Sequence, residues 1–348
     1  MNASSPDIIS KSNHLRWVGA GVLVLLVIVF AMPSRVHIER EITIDARQAT
    51  VFALLNDFRQ MEKWSPRAGD DPNARVEFSG PPRGVGTSVA WSGQIVGQGR
   101  QTISESEPFS RITSVIDLGK GNEATVTQTL QAISDKTLVV WSWERETGWN
   151  IAARVFGLIQ DGVIGSELEL ALTNLGDLAE RLPRADFSDL QVEQIVVEAV
   201  DIAFHRTTSI PEATAISEAM GDSYFEVLSY IDQFDLQEAG APISITRTFS
   251  GSELVFDAAI PVRGLSDETP STAGPVRIGT TYEGPVIRVR HIGSYGTLGR
   301  THDKIAAYLA AMGMGRNGDA WESYVSDPTR TVESELVTYV YYPIRNQE

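Results

Sequence analysis

The stretch Ile151–Leu182, IAARVFGLIQDGVIGSELELALTNLGDLAERL, decides how the first half of the chain is read. Its apolar residues recur at Val155, Leu158, Ile159, Val163, Leu170, Ala171, Leu175, Leu178 and Leu182. That is close to the 3.6-residue period of a helix with one buried stripe, and it predicts a single long amphipathic helix. Gly162 and Gly165 fall inside it, each costing about 1 kcal/mol relative to Ala, and Ser166 and Glu167 interrupt the apolar side. Two readings fit those glycines: a kink or close contact with a neighbouring element, or a helix that roofs a cavity. Pro183 cannot continue the hydrogen-bond ladder, so the helix also closes a domain.

Working back from it, Arg35–Ile44 alternates polar and β-branched residues as a half-buried strand does. Asp45 is placed to cap a short helix over Gln48–Leu55, and Phe58–Trp64 forms a second, stopped by Ser65-Pro66. After a polar loop, strand-like runs follow at Ala74–Phe78, Ser88–Ser92, Gly99–Glu105, Ile112–Leu118, Ala124–Ala132 and Leu138–Glu144. This pattern predicts an antiparallel meander closed by the long helix, an α+β arrangement. Gly84-Val85-Gly86 and Gly97-Gln98-Gly99 are read as hairpin turns, since no Lys-Ser/Thr follows them as in a nucleotide loop. Trp64, Trp91, Trp141, Trp143 and Trp149 concentrate here, where large aromatics serve equally as core or as ligand wall. Glu144, Arg145 and Glu146 are read as a solvated strand end, with acid–base work by the two carboxylates as the alternative if they are buried.

Ahead of this domain, residues 1–16 form a short polar tail and Trp17–Met32 is an uncharged apolar run flanked by Arg16 and Arg35. Its length is at the short end of what crosses a hydrocarbon core of about 30 Å. An uncleaved anchor over residues 17–33 is favoured over a cleaved signal peptide. The basic residues on the near side place everything after Pro33 on the periplasmic side of an inner membrane.

The composition removes several functions. The chain has 348 residues, enough for two domains, no cysteine and a formal net charge of −16. Thiolate chemistry and disulfides are excluded, and a nucleic-acid partner is disfavoured because phosphate binding needs a basic surface. The five histidines show no metal-ligand spacing, no G-x-S-x-G elbow occurs, and no cofactor motif is present.

Within residues 35–182 a set of short motifs carries a resemblance. Val51-Phe52-Ala53-Leu54, Asp57-Phe58, Lys63-Trp64-Ser65-Pro66, Gly84-x-Gly86, Trp91-Ser92-Gly93, Gly97-x-Gly99-Arg100, Glu107-Pro108, Gly157-Leu158 and Asn174-Leu175 resemble the polyketide cyclase/dehydrase branch of the START-like, or SRPBCC, superfamily. The resemblance implies a helix-grip fold with a deep apolar cavity between sheet and C-terminal helix that takes lipids, polyketides or other hydrophobic molecules. It implies no fixed catalytic set.

Residues 183–191 (PRADFSDLQ) are read as a linker, and residues 192–348 as a second domain that repeats itself. Strand Ile195–His205, helix Ser223–Phe234, Gly240-Ala241-Pro242 and strand Ile243–Thr248 are echoed by Val286–His291, His302–Ala311, Asn317-Gly318-Asp319 and Trp321–Val325. Matching Gly240 with Gly318 puts Leu228 on Ala306 and Tyr230 on Tyr308. A duplicated strand-helix-strand-strand unit with a cleft between its helices is the expectation. On this reading His205 and His291 occupy comparable places.

Together with Gly293-Ser294-Tyr295, Gly318-Asp319-Ala320-Trp321-Glu322-Ser323-Tyr324, Ser326-Asp327-Pro328 and the closing Tyr342-Pro343-Ile344, this layout is similar to the gyrase-inhibitor-like domain, also the effector-binding module of AraC- and MerR-type regulators. The resemblance implies a pocket for small aromatic or cationic molecules, with Tyr295, Trp321, Glu322 and Tyr324 at pocket positions. Where the family carries a carboxylate on the last strand this chain has Tyr339, so Glu322 or Glu283 would have to substitute for it. The expected function is a membrane-anchored binder of small hydrophobic or aromatic molecules, with Trp64, Trp91, Trp141, Trp143, Tyr295, Trp321, Glu322, Tyr324 and Tyr339 as ligand-binding candidates. A hydrolase or cyclase and a protein-binding protective module are the alternatives. No metal or cofactor is expected, and no protein partner is identified.

Overall fold

A computed structural model describes Trp17 and residues 34–66, 71, 73–119, 122–148, 154, 155, 157 and 160–345. The proposed anchor, apart from Trp17, together with Trp149 and much of residues 151–159, lies outside the described residues. Among the described residues no helix is long and apolar enough to cross a membrane. The chain divides into two compact units, Met1–Leu182 and Pro183–Glu348.

The first unit is a seven-stranded antiparallel sheet with helices on one face. Its strands are β1 (Arg35–Ile44), β2 (Arg75–Ser79), β3 (Ser88–Ser92), β4 (Gln98–Glu107), β5 (Arg111–Asp117), β6 (Glu123–Ile133) and β7 (Lys136–Glu146). They run in the order β1-β7-β6-β5-β4-β3-β2, so the meander is closed on one side by the first strand. Helix α1 (Gln48–Leu55) and the single turn α2 (Phe58–Met61) sit between β1 and β2 in sequence. Asp45 does not cap α1: the cap position is Arg47, whose side chain makes no capping bond. Asp57 is the residue that caps, accepting from the Arg59 N–H at 2.9 Å ahead of α2.

The closing helix departs from an even period. Asp161–Gly165 is a π-turn, and α3 proper spans Ser166–Ala179. A π-turn holds more residues than an α-turn and rotates the face that follows it. The buried stripe is accordingly Leu168, Ala171, Leu172, Leu175 and Ala179, while Val155, Val163 and Leu170, which the even period places inward, are exposed. The glycine question is answered at Gly165: a Cβ there would lie 2.1 Å from Nη2 of Arg40. Arg40 donates to Asp161 at 3.2 Å, at the start of the turn, and to Glu169 at 2.6 Å, on the helix that follows it. Gly165 admits that guanidinium, which is the close-contact reading.

The second unit is a larger antiparallel sheet in the order β13-β14-β9-β12-β11-β16-β17-β15-β8. Its strands are β8 (Val192–Val197), β9 (Asp201–Ser209), β10 (Gln237–Glu238, paired to β12), β11 (Ile243–Phe249), β12 (Leu254–Arg263), β13 (Thr272–Ala273), β14 (Val276–Thr280), β15 (Gly284–Ile292), β16 (Trp321–Tyr324) and β17 (Val337–Pro343). Helices α4 (Ala213–Gln233) and α5 (Leu298–Ala311) complete it. The duplication is plain in the order β9-α4-β11-β12 and β15-α5-β16-β17. Three details differ from the sequence expectation. Ile195–His205 is two strands, α4 begins ten residues earlier than Ser223, and β12 completes the first repeat. Within residues 183–191, Phe187 is buried edge-on against Tyr308, with ring centroids 5.7 Å apart.

The repeats meet along β11 and β16, with Ile243 opposite Ser323, Ser244 opposite Glu322 and Ile245 opposite Trp321. This register agrees with the Gly240–Gly318 match and sets a pseudo-twofold axis at Ser244 and Glu322. Carried across the ladders, Asp257 corresponds to Tyr339 and His205 to Val289. His205 and His291 are therefore two residues out of correspondence.

Candidate functional site

In the first unit the site is built on one face of β7. Successive strand residues point to opposite faces, so Trp141, Trp143 and Arg145 share the side that looks toward α3, while Glu144 and Glu146 take the other. Those two carboxylates pair outward, with His37 at 2.9 Å and Arg35 at 3.1 Å. Arg145 thus does not belong to a solvated strand end with its neighbours. It is half-buried, its guanidinium 5.7 Å from the Trp143 ring centre, and it donates to Oδ1 of Asn122 at 3.2 Å and Oε1 of Gln160 at 3.0 Å. Both acceptors are neutral. Burial pulls this guanidinium below its ordinary range.

Deeper along the same face Trp64 packs edge-on against Trp141, centroids 5.8 Å apart. The Trp64 carbonyl accepts from Nδ2 of Asn174 on α3 at 3.1 Å, which ties the turn after α2 to the closing helix. Trp64, Trp141 and Trp143 are all buried, yet the indole N–H groups of Trp64 and Trp141 find no acceptor. An unpaired buried donor costs roughly 1–3 kcal/mol, and native interiors seldom tolerate two side by side. The neighbouring inner wall is also polar in part, with Gln101 donating to Ser114 at 2.8 Å and Gln128 buried beside them on β6. Trp91 lies at the far edge over Gly99, where a Cβ would meet its ring at 2.5 Å. It faces a separate open hollow of about 280 Å³ lined also by Gln98, Arg100 and Leu118.

In the second unit strand alternation splits the candidates. Glu322 and Tyr324 point to the helix side, whereas Trp321 and Tyr339 point to the opposite side of the sheet. There Trp321 stacks on Tyr341 with centroids 4.8 Å apart, and Arg288 lies 4.9 Å from the Tyr339 ring centre. Tyr339 therefore lies on the face of the sheet away from Glu322 and Tyr324. Its first-repeat counterpart, Asp257, is fully buried and receives Arg206 at 2.6 Å and Arg247 at 2.8 Å.

On the helix side the pseudo-twofold axis carries a hydrogen-bonded chain. Nε2 of His302 lies 2.7 Å from Oε1 of Glu322, Nδ1 lies 2.8 Å from the Tyr342 hydroxyl, and the Tyr324 hydroxyl donates to Oε2 of Glu322. A carboxylate only accepts, so the neutral imidazole carries its proton on Nε2 and takes the Tyr342 hydroxyl at Nδ1. Tyr295 closes the group edge-on to Tyr324 at 5.3 Å. Burial raises the phenols of Tyr224, Tyr324 and Tyr295, and pushes Tyr342 up to about 12, so all stay protonated donors near neutrality. His302 is the residue that sequence reasoning passed over. The repeat match offered the signal, since it sets His302 on Tyr224 and Glu322 on Ser244.

Among the described residues no group of acidic, histidine or cysteine side chains could hold a metal ion. A hollow of about 400 Å³ elsewhere in this unit is lined by charged residues including Asp189 and Lys304, which pair with each other.

No curated protein matches the chain. Solved structures similar to it include the EcmrR C-terminal domain, 12% identical, covering 46% of this chain and 99% of that one with a TM-score of 0.38. A hydrolase from Listeria innocua is 11% identical, with coverages of 44% and 92% and a TM-score of 0.32. The Aha1 dimer from Colwellia psychrerythraea is 17% identical, with coverages of 42% and 97% and a TM-score of 0.30. Over residues 35–180, about four-fifths of the first unit, the chain matches the polyketide cyclase / dehydrase and lipid transport family.

Proposed function

We propose that this protein is a binder of small hydrophobic or aromatic molecules, tethered to a membrane through residues 17–33, with one binding region inside the grip of the first unit and another in the helix-side cleft of the second. The observation that carries the reading is the pair of buried indole N–H groups of Trp64 and Trp141 without acceptors. A ligand oxygen entering between sheet and α3 would satisfy them, while burial of apolar ligand surface at about 25 cal/mol per Å² supplies the affinity. The lipid-transport family match over the same residues supports it. The test is to titrate the full chain, labelled at its indole nitrogens, with medium-chain lipids and aromatic compounds, the signals being assigned with Trp64→Phe and Trp141→Phe. Of the seven tryptophans, these two are expected to shift most. A panel that leaves both unmoved overturns the reading for the first unit.

One observation favours a second reading for the second unit: His302, oriented by Glu322, is equipped to move protons. Hydrolysis of a small electrophile there predicts that His302→Gln abolishes turnover and leaves binding in place.

A further inference from the structure

We propose that the ligand held by the first unit is an anion, an elongated apolar molecule ending in a carboxylate that Arg145 receives. The inference rests on the binding reading above and adds the chemical class of its ligand.

Arg145 stands on the same strand face as Trp143 and Trp141, and the spacing of alternate residues sets Arg145 roughly 13 Å along β7 from Trp141. The wall therefore runs from a cation, across one indole, to the two indoles whose N–H groups lack acceptors. Among the described residues no carboxylate pairs with Arg145, although ion pairs engage Arg35, Arg40, Arg47, Arg111, Arg206, Arg247 and Arg288. The nearest acids in sequence, Glu144 and Glu146, are committed outward to His37 and Arg35. The guanidinium is nevertheless held in place, one amino group on Asn122 and the other on Gln160. Each amino group and Nε keeps a further donor, since guanidinium has five N–H bonds and two are used here. A positioned, half-buried guanidinium with neutral neighbours matches the planar, two-oxygen geometry of a carboxylate. Removing it from water without a counter-ion is costly, and an arriving anion relieves that cost.

The opposite arrangement serves as the internal control. Where this protein uses arginine as framework it supplies the acid itself, as Asp257 does for Arg206 and Arg247. Arg145 is set up differently, against a wall of aromatic rings and at a place where an elongated tail would lie over Trp143.

The test uses the purified full chain and two matched probes, decanoate and decan-1-ol, titrated calorimetrically at pH 8. The wild type is expected to bind decanoate at least tenfold tighter than the alcohol. Arg145→Gln should weaken decanoate by tenfold or more and change the alcohol less than threefold, whereas Arg145→Lys should recover part of the acid preference. With decanoate labelled at its carboxyl carbon, the bound carboxyl should stay ionised to lower pH in the wild type than in Arg145→Gln, a readout that a structural role would not move. Equal binding of acid and alcohol by the wild type, or equal weakening of both by Arg145→Gln, overturns this inference and leaves the binding reading standing. Binding of neither probe overturns both for apolar chains of this length. The wild-type comparison needs no variant, so it decides the matter even where a substitution impairs folding.

Discussion

Asp257 and Arg145 are each a charged side chain on the wall of an antiparallel sheet, one in each unit, and the protein treats them differently. Asp257 is fully buried, and two guanidinium groups close on its two oxygens. Arg145 is half-buried and meets two neutral amide oxygens. The same contrast holds around them. Glu322 is matched by His302 and Tyr324, while Trp64 and Trp141 keep donors without acceptors. A charge already answered by the chain holds structure together; one left open costs free energy until something from outside answers it. The second unit has unpartnered buried atoms too, Nδ1 of His205 and Oγ1 of Thr338, but a ring nitrogen that can leave its proton on the other nitrogen and a small hydroxyl are weaker demands than an indole N–H or a cation. The difference separates framework from site before any ligand is known.

If that distinction holds, Asp257→Ala should be the most damaging change. Breaking a buried pair by removing one partner costs roughly 3–5 kcal/mol, and here the lower end applies because Arg206 and Arg247 are 48% and 32% exposed and can turn to water. Urea unfolding of the second unit should show a loss of about 3 kcal/mol. A loss below about 1 kcal/mol would place Asp257 outside the framework. Next in size is Glu322→Gln, which keeps the shape and removes the charge that holds His302. Hydrogen bonds to charged groups contribute about 1.5–3 kcal/mol, and a glutamine retains part of that, so a loss of about 1–2 kcal/mol is expected. Nitrogen chemical shifts of the His302 ring should move from the Nε2–H form toward a mixture of tautomers; an unchanged ring would mean that Tyr342 alone sets it.

Arg145→Gln should change stability by less than about 1 kcal/mol, because a glutamine at 145 leaves no charge behind and Asn122 and Gln160 are neutral. Thermal unfolding without ligand checks this, and a loss as large as that of Asp257→Ala would erase the contrast. Arg145 is poorly signalled by its neighbours in the chain. Its flanking Glu144 and Glu146 have the composition of a solvated strand end, and only the period-two step from Trp141 and Trp143 points it inward. Local pattern carried most of the first unit, where alternation located β1 and the meander without reference to anything distant. It failed at α3, where the π-turn changes the phase of the helix, and at β12, where Asp257 and Pro261 break an apolar run. Pro261 is tolerated there because pairing with β11 stops at Ala259. The His302–Glu322 pair was hard to find for another reason: its members lie on a helix and a strand that only the fold brings together, and the repeat match alone pointed to them.

Besides the ion pairs of Arg35, Arg40, Arg47 and Arg111, the first unit answers one carboxylate with backbone. The Asp71 carboxylate accepts from the Ile95 N–H at 2.9 Å and from the Asn73 N–H at 3.3 Å, and Gly93 leaves it room, since a Cβ there would come within 2.3 Å of Oδ2. The hydrogen bond from Ile95 and those from Asn73, Val96 and Gln94 hold the carboxyl below its ordinary value of 3.8. A group whose pKa is lower folded than unfolded binds its proton more weakly when folded. Its contribution is therefore complete above 3.8 and is lost as pH falls through the lower folded value. Asp71→Asn should remove that pH dependence and leave the Ile95 amide exchanging faster with solvent at neutral pH. If instead the Ile95 amide loses protection on acidification equally in Asp71→Asn and the wild type, another group governs the β3–β4 turn. Asp71 would then be a second open charge, and the contrast between the units would be sharper than drawn.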